Sequence, residues 1–115
     1  MANPNGKKGS QKHQDVQKAE KKKVTEEFSE QTNVVVETEV PVATPNGKKK
    51  HRIADIAAFS NDDPFQFFKF VQIGKADKNG KPVKREQEAI EDIEKHTNLK
   101  VKFVNYEDYE TDSTE

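Results

Sequence analysis

His51–Lys75, HRIADIAAFSNDDPFQFFKFVQIGK, is the stretch that decides how this chain folds. Two apolar runs flank Ser60-Asn61-Asp62-Asp63-Pro64, a turn by composition. In the first run Ile53, Asp55, Ala57 and Phe59 alternate onto one face, and in the second Phe65, Phe67, Lys69, Val71 and Ile73 do so. The runs read as buried neighbouring strands, of about Arg52–Phe59 and Phe65–Ile73. One carboxylate and one amine interrupt otherwise apolar faces. A charge among strand apolars is costly unless it is paired or at an edge, so Asp55 and Lys69 are candidate functional residues. The bland account is a cross-strand ion pair between the two.

Upstream, Val34, Val36, Thr38, Val40 and Val42 alternate with Val35, Glu37, Glu39 and Pro41, a strand with one wet face. Pro41 lacks an N–H for the ladder and places the strand's end at an edge. Thr44-Pro45-Asn46-Gly47 turns the chain back into a hairpin whose tip gathers Lys48, Lys49, Lys50 and Arg52. Before it, residues 11–31 are rich in Lys, Glu and Gln, with Val16, Ala19, Val24 and Phe28 as a thin apolar stripe. That is a helix held by docking through Val24 and Phe28, with Ser10 as a candidate cap.

Downstream, GKADKNGKP at 74–82 is a polar turn whose Pro82 suits the first turn of a helix. The helix VKREQEAIEDIEKHT sets Val83, Glu86, Ile90, Ile93 and Thr97 on one side. Asn98 can cap it, and Leu99, Val101 and Phe103 form a fourth strand. The order is α-β-β-β-α-β. A strand reached through a helix commonly lies parallel to its neighbour, so the expected class is α+β with a four-stranded mixed sheet.

With 115 residues, 30% of them apolar and 36% charged, the chain has room for one small core. The expected organisation is a basic flexible arm over 1–10, one domain over 11–106 and an acidic flexible tail over 107–115. Net charge is −1, yet residues 1–23 carry seven lysines and residues 107–115 five acids. The absence of cysteine removes disulfides and thiolate chemistry, and suits a reducing cytoplasm. No run is long enough to span a bilayer, and no apolar stretch follows the N-terminal lysines as in a secretory signal, so no membrane association is expected. His13, His51 and His96 fit no zinc spacing. No Walker loop appears, and Ser10, Ser29, Ser60 and Ser113 offer no serine triad.

The element order, together with Asn5-Gly6-Lys7-Lys8-Gly9, Arg52-Ile53-Ala54-Asp55, Val71-Gln72-Ile73-Gly74-Lys75, Gly80-Lys81-Pro82-Val83-Lys84-Arg85-Glu86 and Ala89-Ile90-Glu91-Asp92-Ile93, resembles the restriction-endonuclease-like, PD-(D/E)xK, nuclease superfamily. The resemblance is to its small domains of phage, mobile-element or toxin type. It implies an acid at the end of the second strand, and an acid with a lysine or glutamine on the third, holding Mg²⁺ or Mn²⁺ beside a scissile phosphate. Asp55 matches the first position and is the implied metal ligand; Lys69 and Gln72 are the third-strand candidates. This chain departs from the pattern with Phe67-Phe68-Lys69 where an acid should precede the lysine by two places. Asp62 and Asp63 are the nearest acids in sequence, and Glu20, Glu27, Glu37 and Glu39 are alternatives from other elements.

The resulting expectation is a cytoplasmic nuclease-fold protein that contacts nucleic acid, DNA favoured over RNA, with catalysis weak or lost. If active it is a metal-dependent phosphodiesterase. Lys48, Lys49, Lys50, Arg52, Lys75, Lys84 and Arg85 are the candidate phosphate contacts. The rival expectation is a protein-binding inhibitor or adaptor acting through its acidic tail and the aromatic strand of Phe65, Phe67, Phe68 and Phe70. An uncovered face there would make a homodimer or meet a protein partner.

Overall fold

A computed structural model describes residues 11–60, 62 and 64–107. The elements run α1 (Gln11–Glu27), β1 (Val34–Ala43), β2 (His51–Ser60), β3 (Gln66–Gly74), α2 (Lys84–Thr97) and β4 (Val101–Asn105). The strands lie in the order β1-β2-β3-β4, antiparallel at β1/β2 and β2/β3 and parallel at β3/β4. The fold is therefore α+β, two helices on a four-stranded mixed sheet, as the alternation and turn chemistry require. The arm over 1–10, with Ser10 and the Asn5–Gly9 motif, lies outside the described residues, as do Asn61, Asp63 and the tail beyond Glu107. None of the described helices is long and apolar enough to cross a membrane.

The parallel pair needs a crossover, which α2 supplies. Asn98 ends α2 in the left-handed conformation, φ 63°, its N–H donating to Glu94 O. Pro82 is displaced from the first helical turn: Val83 is the cap, and Pro82 is bridged to Ala76 across the preceding turn. Each helix covers one face. Val16 and Val24 of α1 pack with Ile56, Ala58, Val71, Ile73 and Val104. Ile93 of α2 packs with Val42, Ala54, Ala57 and Phe70. Phe70 and Val71 are successive on β3, so the two clusters lie on opposite faces of the sheet.

Simple alternation fails at two places. Val34 and Val36 belong with the α1 cluster but Val40 and Val42 with the α2 cluster, although all four share one parity. The change of side falls at Glu39, whose φ is 57°. Across from it, Ala54 sits with α2 while Ile56 and Ala58 sit with α1, so β2 changes side at Asp55. Ile53, Asp55, Ala57 and Phe59 thus do not share a face: Ile53 is 45% exposed and Ala57 fully buried. The second break is a bulge, since Ala58 pairs with Lys69 but Phe59 with Phe67. The extra residue, Phe68, packs beside Phe28 on the α1 face, while Phe67 joins Phe70 on the other. Phe67 and Lys69 consequently face opposite sides.

Two acids are buried without any apolar pattern announcing them. Glu20 of α1 is 1% exposed and pairs with Lys102 Nζ of β4 at 3.1 Å, tying the helix to the sheet. Asp92 of α2 is 7% exposed and pairs with Arg52 of β2.

Candidate functional site

The side switch in β2 leaves the Asp55 backbone short of regular ladder partners, and side chains replace them. Its N–H donates to Gln72 Oε1 at 2.7 Å, and its carbonyl accepts from Gln17 Nε2 at 3.0 Å. The Asp55 carboxylate in turn accepts the N–H of Ile73 at 2.7 Å. From α1, His13 Nε2 donates to the Ile73 carbonyl at 3.1 Å and stands 3.9 Å from Asp55 Oδ2. Gln17 also donates to Glu39 Oε2 at 2.9 Å, so one α1 side chain spans both switch residues. Glu86 arrives from the first turn of α2 and lies over Gly74, where a β-carbon would come within 2.7 Å of its Cδ.

Beside them lies one open pocket of about 390 Å³ at the seam of β2 and β3, with Asp55, Glu39 and Glu86 as its acids and His13, Lys75 and Arg85 also in its wall. Burial pushes the Asp55 carboxyl up from 3.8 to about 6 against the Ile73 N–H and His13, and the negative charges of Glu86 and Glu39 push in the same direction. Burial also raises Glu86, with Arg85 and His13 opposing. Carboxylates that hold their protons more tightly because they are desolvated beside one another are short of positive charge. A cation in the pocket would relieve both.

The donors fit a hard divalent cation in kind. Among the described residues no three of His, Asp and Glu converge as a ligand cage. Mg²⁺ is commonly held by one or two carboxylates and completed by water and substrate oxygens, so Asp55 and Glu86 are the residues that would hold it.

The structure brings Asp55, Lys75 and Arg85 together in this pocket, sets the buried Gln72 behind Asp55, and takes Lys69 away from it. Lys69 is opposite Ala58, and its Nζ pairs with Glu27 of α1 at 2.7 Å, so the Asp55–Lys69 ion pair does not form. Asp55 lies one position beyond the Ile56–Val71 pair, level with Gln72, so Lys69 is three positions away along β3. Arg52 is buried against Asp92, with Nε at 2.9 Å and a terminal nitrogen at 2.8 Å from Oδ2, and is not a surface cation. Lys48 pairs with Glu88 at 3.0 Å, while Lys49, Lys50 and Lys84 are exposed. Among the described alternative acids, Glu39 reaches the pocket, while Glu20 is under Lys102, Glu27 holds Lys69, and Asp62 accepts from Asn33.

His13 and Glu86 are the pocket residues that the sequence reading left unassigned. The spacing of His13 and Gln17, four residues apart on one helix face, is the signal that could have found the first. Glu86, next to Arg85 at the start of a helix, offered only its position. Comparison with protein-family models, with curated proteins and with solved structures finds no match.

Proposed function

We propose that the Asp55 pocket receives a backbone phosphate of nucleic acid, together with a divalent cation, in a domain of nuclease type. The observation that carries this reading is that three acids, Asp55, Glu39 and Glu86, and two cations, Lys75 and Arg85, line one pocket. Lysine and arginine attract a phosphodiester, which the carboxylates repel unless a cation lies between. The α-β-β-β-α-β order and the parallel β3/β4 pair agree with the core that the resemblance implies.

In this reading Lys75 and Arg85 hold phosphate oxygens at the wall. Gln72 fixes the Asp55 backbone through its N–H, and Ile73 aims the carboxylate with a second hydrogen bond. Gln17 holds Glu39 toward the same space. A bound divalent cation would supply the positive charge that offsets an attacked phosphate and acidifies its water. Lys69, further along β3 and held by Glu27 near the other end of α1, takes no part.

Calorimetric titration of Mg²⁺ and Mn²⁺ into wild type and Asp55→Ala, with duplex binding and plasmid nicking in the same buffers, tests the reading. Metal-dependent DNA or RNA binding that Asp55→Ala abolishes supports it, and nicking lost with the same variant extends it to catalysis. Neither metal nor nucleic-acid binding overturns it.

One observation favours protein binding as a second reading. Phe65 is 53% exposed, with its ring 5.4 Å from Phe59 and 4.9 Å from Phe67, beside a groove of about 490 Å³ that includes Val42 and Leu99. Concentration-dependent mass by light scattering that disappears in Phe65→Ser would support it; an unchanged monomer mass excludes self-association there.

A further inference from the structure

α2 carries the pocket at one end and, further along, grips a different feature. The hairpin between β1 and β2 turns through Thr44–Lys50, and its backbone is held to α2 at several points. Asp92 accepts the N–H of Lys48 at 3.1 Å and that of Lys49 at 3.4 Å, besides the Arg52 side chain. His96 accepts the N–H of Asn46 at 3.1 Å through Nε2, and its Nδ1 donates to the Asp92 carbonyl at 2.8 Å. Thr44 closes the turn from within, its N–H donating to Lys50 O at 2.8 Å and its hydroxyl to Lys49 O at 2.7 Å. Gly47 leaves room for this grip, because a β-carbon there would stand 2.5 Å from Asp92 Cγ.

The exposed residues of this fixed loop include three lysines, Lys48, Lys49 and Lys50. Lys48 is neutralised by Glu88, but among the described residues no carboxylate pairs with the side chains of Lys49 or Lys50. The two adjacent ammonium groups of Lys49 and Lys50 repel one another. A fold that pins their backbone so firmly presents them as a prepared cationic surface, and preorganisation lowers the entropy lost on binding. Polyanionic backbone is the partner whose chemistry matches unpaired lysines in a row.

The grip also sets a distance. Lys50 immediately precedes β2 and Asp55 is five residues further on, about 16 Å at 3.3 Å per residue. Phosphates of one strand advance about 3.4 Å per nucleotide along a duplex, so the offset corresponds to roughly five nucleotides. We infer that Lys49 and Lys50 form a second phosphate contact, held by α2 at a fixed offset from the Asp55 pocket, so that one strand engages both. This inference rests on the reading of the pocket as a phosphate site.

The test is the salt dependence of binding to a 24-base-pair duplex in Mg²⁺, compared between wild type, Lys49→Ala/Lys50→Ala and Lys75→Ala/Arg85→Ala. The two tip side chains are exposed and outside the Asp92 network, so their truncation leaves the fold intact. Each lost phosphate contact reduces the log–log salt slope by about 0.9, so the tip variant should lose about 2. A dinucleotide, too short to span the offset, should bind wild type and the tip variant equally well. An unchanged slope in the tip variant, with affinity lost in Lys75→Ala/Arg85→Ala, overturns this inference and leaves the pocket reading standing. Loss confined to the tip variant overturns the pocket reading, and with it the shared strand. A tip penalty that persists on the dinucleotide also overturns the inference, since it denies the offset.

Discussion

Glu86 of α2 lies against Gly74 at the end of β3, so close that a β-carbon at 74 would be 2.7 Å from its Cδ and 2.8 Å from Oε2. Helix and strand meet there through a carboxylate and the lack of a side chain. Gly74→Ala should swing the flexible Glu86 side chain out of the pocket at a stability loss below about 1 kcal/mol. Because Glu86 is one of the charges that raise Asp55, the Asp55 carboxyl should then titrate below its value of about 6. Carboxyl NMR titration of wild type and Gly74→Ala reads this directly, and an unmoved Asp55 would refute the proximity.

Asp55 should make the protein less stable as the solution becomes less acidic. Its folded value of about 6 lies above the ordinary 3.8, so the native state binds the proton more tightly than the unfolded chain. The contribution is fully present below about pH 4 and is lost as pH rises through 6, a total on the order of 3 kcal/mol. Asp55→Asn should flatten this part of the pH–stability curve and raise the melting temperature at pH 7 to 8. Urea denaturation between pH 4 and 8 provides the comparison, and a wild-type curve that rises through this window contradicts the assignment.

The Arg52–Asp92 pair behaves in the opposite sense. Burial pushes the Asp92 carboxyl up, but the Arg52 hydrogen bond and the N–H groups of Lys48 and Lys49 outweigh it and hold the carboxyl below its usual range. That stabilisation is present above about pH 4, the unfolded value, and fades as pH falls through the lowered folded one. Removing either partner leaves a buried charge, and Arg52→Ala or Asp92→Ala should cost about 3–5 kcal/mol. The paired replacement Arg52→Met/Asp92→Leu should cost less than either single change, measured by denaturant midpoint.

Lys69 offers a contrast with Lys75 and Arg85. Its pairing with Glu27, which is 49% exposed, contributes at most about 1 kcal/mol. Lys69→Met should leave duplex affinity within about twofold of wild type, whereas Lys75→Ala/Arg85→Ala weakens it. Anisotropy titration separates the two, and a large loss with Lys69→Met would move the binding surface along the sheet toward Glu27.

The elements were legible because their boundaries are local. Asn-Gly and Pro-containing turns, the switch from alternating to helical spacing, and Asn98 after α2 all act within a few residues. Faces were less legible. Alternation presumes an uninterrupted pleat, and neither the left-handed Glu39 nor the extra Phe68 leaves a compositional trace, so Lys69 was matched to Asp55 although its partner is Glu27. Asp55 and Gln72 stood out as polar residues in apolar runs. Glu86, His13, Glu20 and Asp92 did not, because each is an ordinary helix-surface residue until tertiary contact buries it. What decides their roles is a partner 40 or more positions distant in the Arg52–Asp92 case and 60 in the His13–Ile73 case.

The matched changes of side at Glu39 and Asp55 also govern how β1 and β2 can align. In an ordinary antiparallel pair, sliding one strand by two residues preserves which side chains face inward, and only the pattern of contacts opposes the error. Here a slide of any length carries one switch past the other, so that valines of β1 on the α1 side would meet a segment of β2 turned toward α2. The irregularity that shapes the pocket thus acts as a catch on the hairpin.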